Sequence, residues 1–215
     1  MKTILIGILI SVASLGYSQQ NETPVPSADT PIRWLGVDFS HVKLIGEFSH
    51  LYGMGDKSSI QVKERYFLAW NKLILNEREK YDIRRLVHKD KVIYDVDMVF
   101  NKNAATPLEG LESYNTPEYS TEDITRFVNE YDTQGKDGVG VVLIAETLNK
   151  ADKEAYFHFV ILNMSDKKIL VHQRYRGEPG GFGLRNYWAG AIHNVMEQID
   201  QSHNHTVVMA VFMKR

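Results

Sequence analysis

Carboxylate pairs, histidines and arginines are the side chains of this chain with chemistry to offer, and their spacing limits what each set can do. Asp95 and Asp97 alternate with Val92, Tyr94, Val96, Met98 and Phe100, which predicts both carboxylates on one side of a strand. Such a pair suits a metal or shared acid–base work, but it is also the ordinary solvent face of a hairpin. Glycoside hydrolysis would need a second carboxylate at a defined separation across a cleft. His193, His203 and His205 bind zinc only if the fold gathers them. His203-Asn204-His205 reads as a solvated turn, and His158 and His172 read as sheet residues satisfied by Tyr175 or a backbone carbonyl.

Gly177 to Gly183 is Gly-Glu-Pro-Gly-Gly-Phe-Gly ahead of a predicted helix. Free N–H groups at Gly180 and Gly181 could hold an anion there, with Arg174, Arg176 and Arg185 adding charge. The Lys-Ser/Thr ending of a phosphate loop is missing, and glycine also serves a plain strand-to-helix connection by reaching positive φ. With no cysteine the chain has no thiol nucleophile, and without a Gly-x-Ser-x-Gly elbow a serine triad has no local support. These residues assign no catalytic group, no metal ligand and no cofactor. Trp188 reads as core, leaving Tyr187 and Arg185 to form a recognition patch with Arg174 and Arg176.

The elements that must position these groups follow from periodicity. Ser58-Ser59 caps a helix running to about Lys80, its apolar Val62, Tyr66, Ala69 and Leu73 recurring at three and four residues. Tyr81 to Val87 and Lys91 to Phe100 read as a hairpin about His88-Lys89-Asp90, followed by a long loop from Asn101 to Tyr119. Ser120 opens a short amphipathic helix that Gly135 stops. Val139 to Leu148, Glu154 to Met164 and Lys168 to Arg176 are strand-like, and a two-residue Asp166-Lys167 turn would set Leu162 opposite Val171 and His158 opposite Tyr175. A third helix reaches Asp200, and Thr206 to Met213 reads as a last strand. The sum is an α/β single domain, a mixed and mostly antiparallel sheet with about three helices packed on it.

Met1 to Ser18 has one cation at Lys2, an apolar stretch from Ile4 to Leu15 and small residues about Tyr17, the pattern of a secretory signal peptide. The apolar stretch is short of the roughly 20 residues a permanent membrane helix needs. Residues 19 to 32, with Pro24, Pro26 and Pro31, read as a linker, and 33 to 215 as the domain. The 215 residues carry 25 basic and 27 acidic side chains, a balance that argues against nucleic acid as a partner. Removing the first 18 residues takes away Lys2 and no acid, and leaves neither a membrane segment nor a cysteine for a lipid anchor. A periplasmic or secreted location is thus expected.

The strand "VGVVLIAETL", the hairpin "AYFHFVILNMSDKKILVHQRYRG" and the helix "FGLRNYWAGAIHNVMEQI", with "WLGVDFS" as an opening strand, resemble envelope domains of the TolB amino-terminal, LpoB and CsgG type. The likeness spans about two-thirds of the residues after the leader. It implies a non-catalytic envelope protein that binds a protein partner or assembles with itself, and it carries over no catalytic residues. The chain departs from that pattern in its Asn101 to Tyr119 loop, in Tyr187 and Trp188, and in lacking a lipidated cysteine. Protein binding through the face bearing Arg174 and Arg176 is therefore the expected function. A small-ligand or anion-binding module using the Gly177 to Gly183 loop is the alternative, and a hydrolase built on Asp95 and Asp97 the third.

Overall fold

The computed structural model describes residues 29–46, 48 and 58–201. The expected leader, most of the expected linker, His203, His205 and the expected strand Thr206 to Met213 lie outside the described residues.

The sheet is organised around one strand whose sequence has almost no polar face. Val139–Asn149 (β5) is buried at all eleven positions, as a strand is when both faces of its sheet are covered. Along one edge β5 pairs with β6 (Glu154–Asn163), antiparallel and over its whole length. The other edge is shared: β1 (Ile32–Asp38) pairs with residues 139–144 and β2 (Lys43–Ile45) with residues 147–149, both parallel. Two-residue strands β3 (Ile93–Tyr94) and β4 (Glu112–Ser113) extend these, again parallel, and β7 (Ile169–Gly177) pairs antiparallel with β6.

Five of the seven strands are thus parallel, which corrects the expectation of a mostly antiparallel sheet. The physical reason is that helical segments return the chain to the same end of the sheet between β1, β3 and β5, while only β5–β6–β7 are joined by tight turns. Among the described residues five helices, not about three, complete the fold. The first, α1, opens at Ser59–Gln61 with Ser58 as its cap, widens to π-helix over Val62–Phe67 and ends as Leu68–Asn76. The others are α2 (Ile83–Val87), α3 (Asp97–Ala105), α4 (Thr121–Asn129) and α5 (Gly183–Gln201).

The expected hairpin across residues 81–100 is replaced by α2, β3 and α3. Val96, Val99 and Asn103 are buried, a three- and four-residue spacing that suits a helix better than the apparent alternation suits a strand. The last hairpin forms, but in a different register. Asn163 and Lys168 flank a four-residue turn in which Lys167 takes φ 61°, and a bulge follows at Ile161/Leu162. His158 therefore faces Arg174, and Phe157 faces Tyr175. A one-residue slip turns every side chain to the other face, so His172 and Arg174 share a face with His158 and Val160.

Two apolar layers sandwich the sheet. On one side Trp34, Val37, Phe39, Leu143, Phe157 and Phe159 pack with Trp70, Leu86, Trp188 and Ile192 from α1, α2 and α5. On the other, Leu35, Val142, Ile144, Val160 and Leu162 meet Ile124, Phe127 and Val128 of α4, with Val99 of α3. Among the described residues no strand lies beside the edge of β1 beyond Trp34. Asn71 of α1 replaces one: its Oδ1 accepts from Val37 N–H at 2.8 Å and its Nδ2 donates to Val37 C=O at 2.9 Å. Asn103 of α3 accepts from Phe39 N–H at 2.6 Å and donates to Val37 C=O at 2.9 Å. Two buried amides thereby satisfy main-chain groups that would otherwise be orphaned in the core.

Candidate functional site

Parallel strands gather functional groups at their carboxyl ends, and the α4 side of this sheet carries a polar seam there. Asp38 ends β1, fully buried, accepting from Tyr131 O–H at 2.8 Å and from Ser40 N–H at 2.7 Å. Burial, then the charge of Asp38, holds the Tyr131 phenol well above its ordinary pKa, so it stays a donor. A cleft of about 380 Å³ opens beside it, lined in part by Asp97, Lys102, Glu130 and Tyr131.

Further along the seam Glu146 sits where β5 changes neighbours from β1 to β2. It is the extra residue of a bulge between Ala145 and Thr147 with no partner on β6, a device that re-aims a side chain. Its carboxylate is wholly buried, and four donors converge on it. Arg174 approaches with Nε at 3.1 Å and a terminal nitrogen at 2.6 Å, His158 Nε2 lies at 2.8 Å, and Tyr119 N–H at 3.1 Å. Burial alone would raise the carboxyl pKa. The bonds from His158, Arg174 and the Tyr119 amide outweigh that and hold it below the ordinary value. Tyr119 belongs to the long loop after α3, and its phenol, pushed up to about 12 chiefly by burial, donates to His41 C=O at 2.6 Å. Tyr119 thus ties the end of that loop to Glu146 and to His41.

His158 is fully buried, and its Nδ1 lies 2.8 Å from His172 Nε2; His172 Nδ1 in turn lies 3.3 Å from Thr121 Oγ1. Glu146 can only accept, which makes His158 Nε2 a donor, and with one proton on each imidazole the roles run outward from the carboxylate. His158 donates to Glu146 and accepts from His172, which accepts from the Thr121 hydroxyl. Burial, then His158, keeps the His172 pKa below its ordinary value. The result is a hydrogen-bonded series from a buried carboxylate to an exposed hydroxyl. Sequence reading treated the two histidines as ordinary sheet residues because the assumed register put Tyr175, not Arg174, opposite His158. The available signal was Glu146 itself, a lone acid inside an apolar run, which has to find partners.

The sequence-predicted patch residues are placed as follows. Arg174 is bound to Glu146 and lies over the Tyr156 ring at 3.7 Å. Arg176 bridges Glu154 at 2.7 Å and Glu178 at 3.1 Å. Gly180 donates its N–H to Tyr187 C=O at 3.0 Å, and Gly181 takes φ 107°. Arg185 bonds Asn186 at 3.3 Å, and the Tyr187 ring meets Trp188 edge-on at 5.1 Å. The glycine loop is thereby seated on α5. Asp95 is held by Arg33 at 3.3 Å and Lys136 at 2.8 Å, while Asp97 opens α3, so the strand that would set them side by side is not formed. His193 contacts Glu197 at 3.5 Å. Among the described residues no group of three or more His, Asp and Glu side chains is placed to hold a metal ion, and no helix is long and apolar enough to cross a membrane.

Comparison of the chain with known protein families, curated proteins and solved structures found no match.

Proposed function

We propose that the protein is exported to the cell envelope or beyond and acts by binding another protein, whose extended strand adds to the outer edge of β7. The leader-like first 18 residues support export, and the likeness of the last hairpin and helix to envelope binding domains supports the mode of action. The observation that carries the reading is the state of β7. Among the described residues its sole strand neighbour is β6. The turn bond from Asn163 N–H to Lys168 C=O and the alternation of an antiparallel ladder turn the main-chain groups of His172, Arg174 and Arg176 outward. The bond from Gln198 Nε2 to Arg176 C=O at 2.7 Å agrees with that phase. A nine-residue strand with outward N–H and C=O groups is a template for strand addition.

The test is capture from a native envelope extract by the tagged protein, quantified by mass spectrometry. Arg176→Pro removes one outward N–H while leaving the ladder to β6 intact, and Arg176→Ala controls for the lost charge. Loss of the captured partner with proline but not with alanine is expected. Equal capture by both variants and the parent chain would sink the reading. A parent chain that captures only itself would make the partner strand its own.

A further inference from the structure

We propose that Thr121, His172, His158 and Glu146 form a nucleophilic site, in which Thr121 Oγ1 attacks small esters whose leaving group departs as a stable anion. This lies beyond protein binding and uses other atoms than the strand edge. The argument is geometric. A nucleophile needs a base within hydrogen-bond reach and a third group orienting the base. Thr121 Oγ1 and His172 Nδ1 are 3.3 Å apart, His172 Nε2 is fixed by His158 Nδ1 at 2.8 Å, and His158 Nε2 by Glu146 at 2.8 Å.

The Asp38 cluster closes on itself, with Tyr131 and the Ser40 amide. This one runs from a buried carboxylate through a buried imidazole to a half-buried imidazole, and it ends on an exposed hydroxyl at the surface. The donor order is also the useful one, since it leaves the lone pair of His172 directed at the hydroxyl proton. Four elements hold the series: β5 supplies Glu146, β6 His158, β7 His172 and α4 Thr121.

In the step, the Thr121 hydroxyl proton passes to His172 Nδ1 while the bond from Oγ1 to the acyl carbon forms. The bond from that carbon to the leaving oxygen then breaks, and its electron pair leaves with the anion. The imidazolium, stabilised through His158 by the Glu146 charge, gives its proton to solvent. Water next attacks the acyl-threonine and passes a proton to Nδ1. Thr121 Oγ1 recovers that proton as the carboxylic acid is released. Thr121 and His172 touch the reacting atoms, whereas His158 and Glu146 are positioning residues.

The probe is p-nitrophenyl acetate, with intact mass and peptide mapping to find one acetyl group on Thr121. Thr121→Ala should lose that adduct and Thr121→Ser keep it, and His172→Gln should slow its formation by about a hundredfold or more. The groups facing His172 are His158 from β6 and Thr121 from α4, with Arg174 beside it on β7 and Glu146 behind. Acylation should fall with acid as His172 takes up a proton, below its ordinary value of 6.5. No acetyl group on Thr121 of the folded protein, or acylation unchanged by His172→Gln, overturns the assignment. If that variant fails to fold, the parent chain decides, and acylation that stays level as pH falls from 6.5 to the acid limit of the folded state overturns it.

Discussion

Two asparagines do at β1 what a neighbouring strand would do elsewhere, and their value lies in the groups they keep from being orphaned. Without Asn71 the Val37 N–H has no partner in a core that admits no water, and without Asn103 the same is true of Phe39 N–H. A buried donor left unmade costs about 1–3 kcal/mol. Asn71→Ala and Asn103→Ala should each lower unfolding stability by that order in urea titrations. Glu146 and His172 set a dependence on acid whose sign follows from their shifts. The folded chain resists protonating His172, so stability falls as pH drops through 6.5 and levels off below the folded value. Glu146 is also held below its ordinary value, so a second loss begins as pH falls through 4.5. Denaturant titrations from pH 8 to about 3 should show both steps, with His172→Gln abolishing the upper one alone. None of these polar residues announces itself by type. Asn71 and Asn103 sit in helices whose apolar spacing is legible without them, and what they bond to is decided by a strand edge far away in sequence.

At the scale of elements, a close fit is made where β7 turns into α5. A Cβ on Gly177 would stand 2.6 Å from the Ala191 carbonyl oxygen and 3.0 Å from Val195, and one on Gly190 would overlap the Gly180 backbone. Gly177→Ala should force β7 and α5 apart, at a cost of about 1–3 kcal/mol by the usual measure of overpacking. A lowered melting temperature would be the readout. Here the sequence was partly legible. Ser58 and Ser120 cap helices where their chemistry says they should, and the third helix begins beside the glycines. The segment from Tyr81 to Phe100 was not, because Val92, Tyr94, Val96, Met98 and Phe100 satisfy a period of two while Val96, Val99 and Asn103 satisfy a helix. Only the packing of α3 against β1 chooses between them. The hairpin register likewise turned on whether the turn held two residues or four, which Ser165-Asp166-Lys167 does not specify.

For the whole molecule, the α/β class could be read from alternating strand and helix patterns, but strand direction could not. Direction depends on where each crossover returns the chain, and the one local clue was the unbroken burial that β5 implies. The same architecture sets how many partners the sheet can take. On the β1 side, Asn71 and Asn103 occupy the main-chain groups that a new strand would need, and β3 adds only two residues there. On the β7 side, among the described residues, no strand covers the outward main-chain groups of His172 and Arg174, and Arg176 C=O is taken by Gln198. Among the described residues the long strand at one margin, β1, is capped by side chains and the long strand at the other, β7, is not, which gives the sheet a valence of one. If the open strand meets its equivalent in a second copy, both valences are consumed and growth stops at a pair, whereas filaments need two complementary margins per chain.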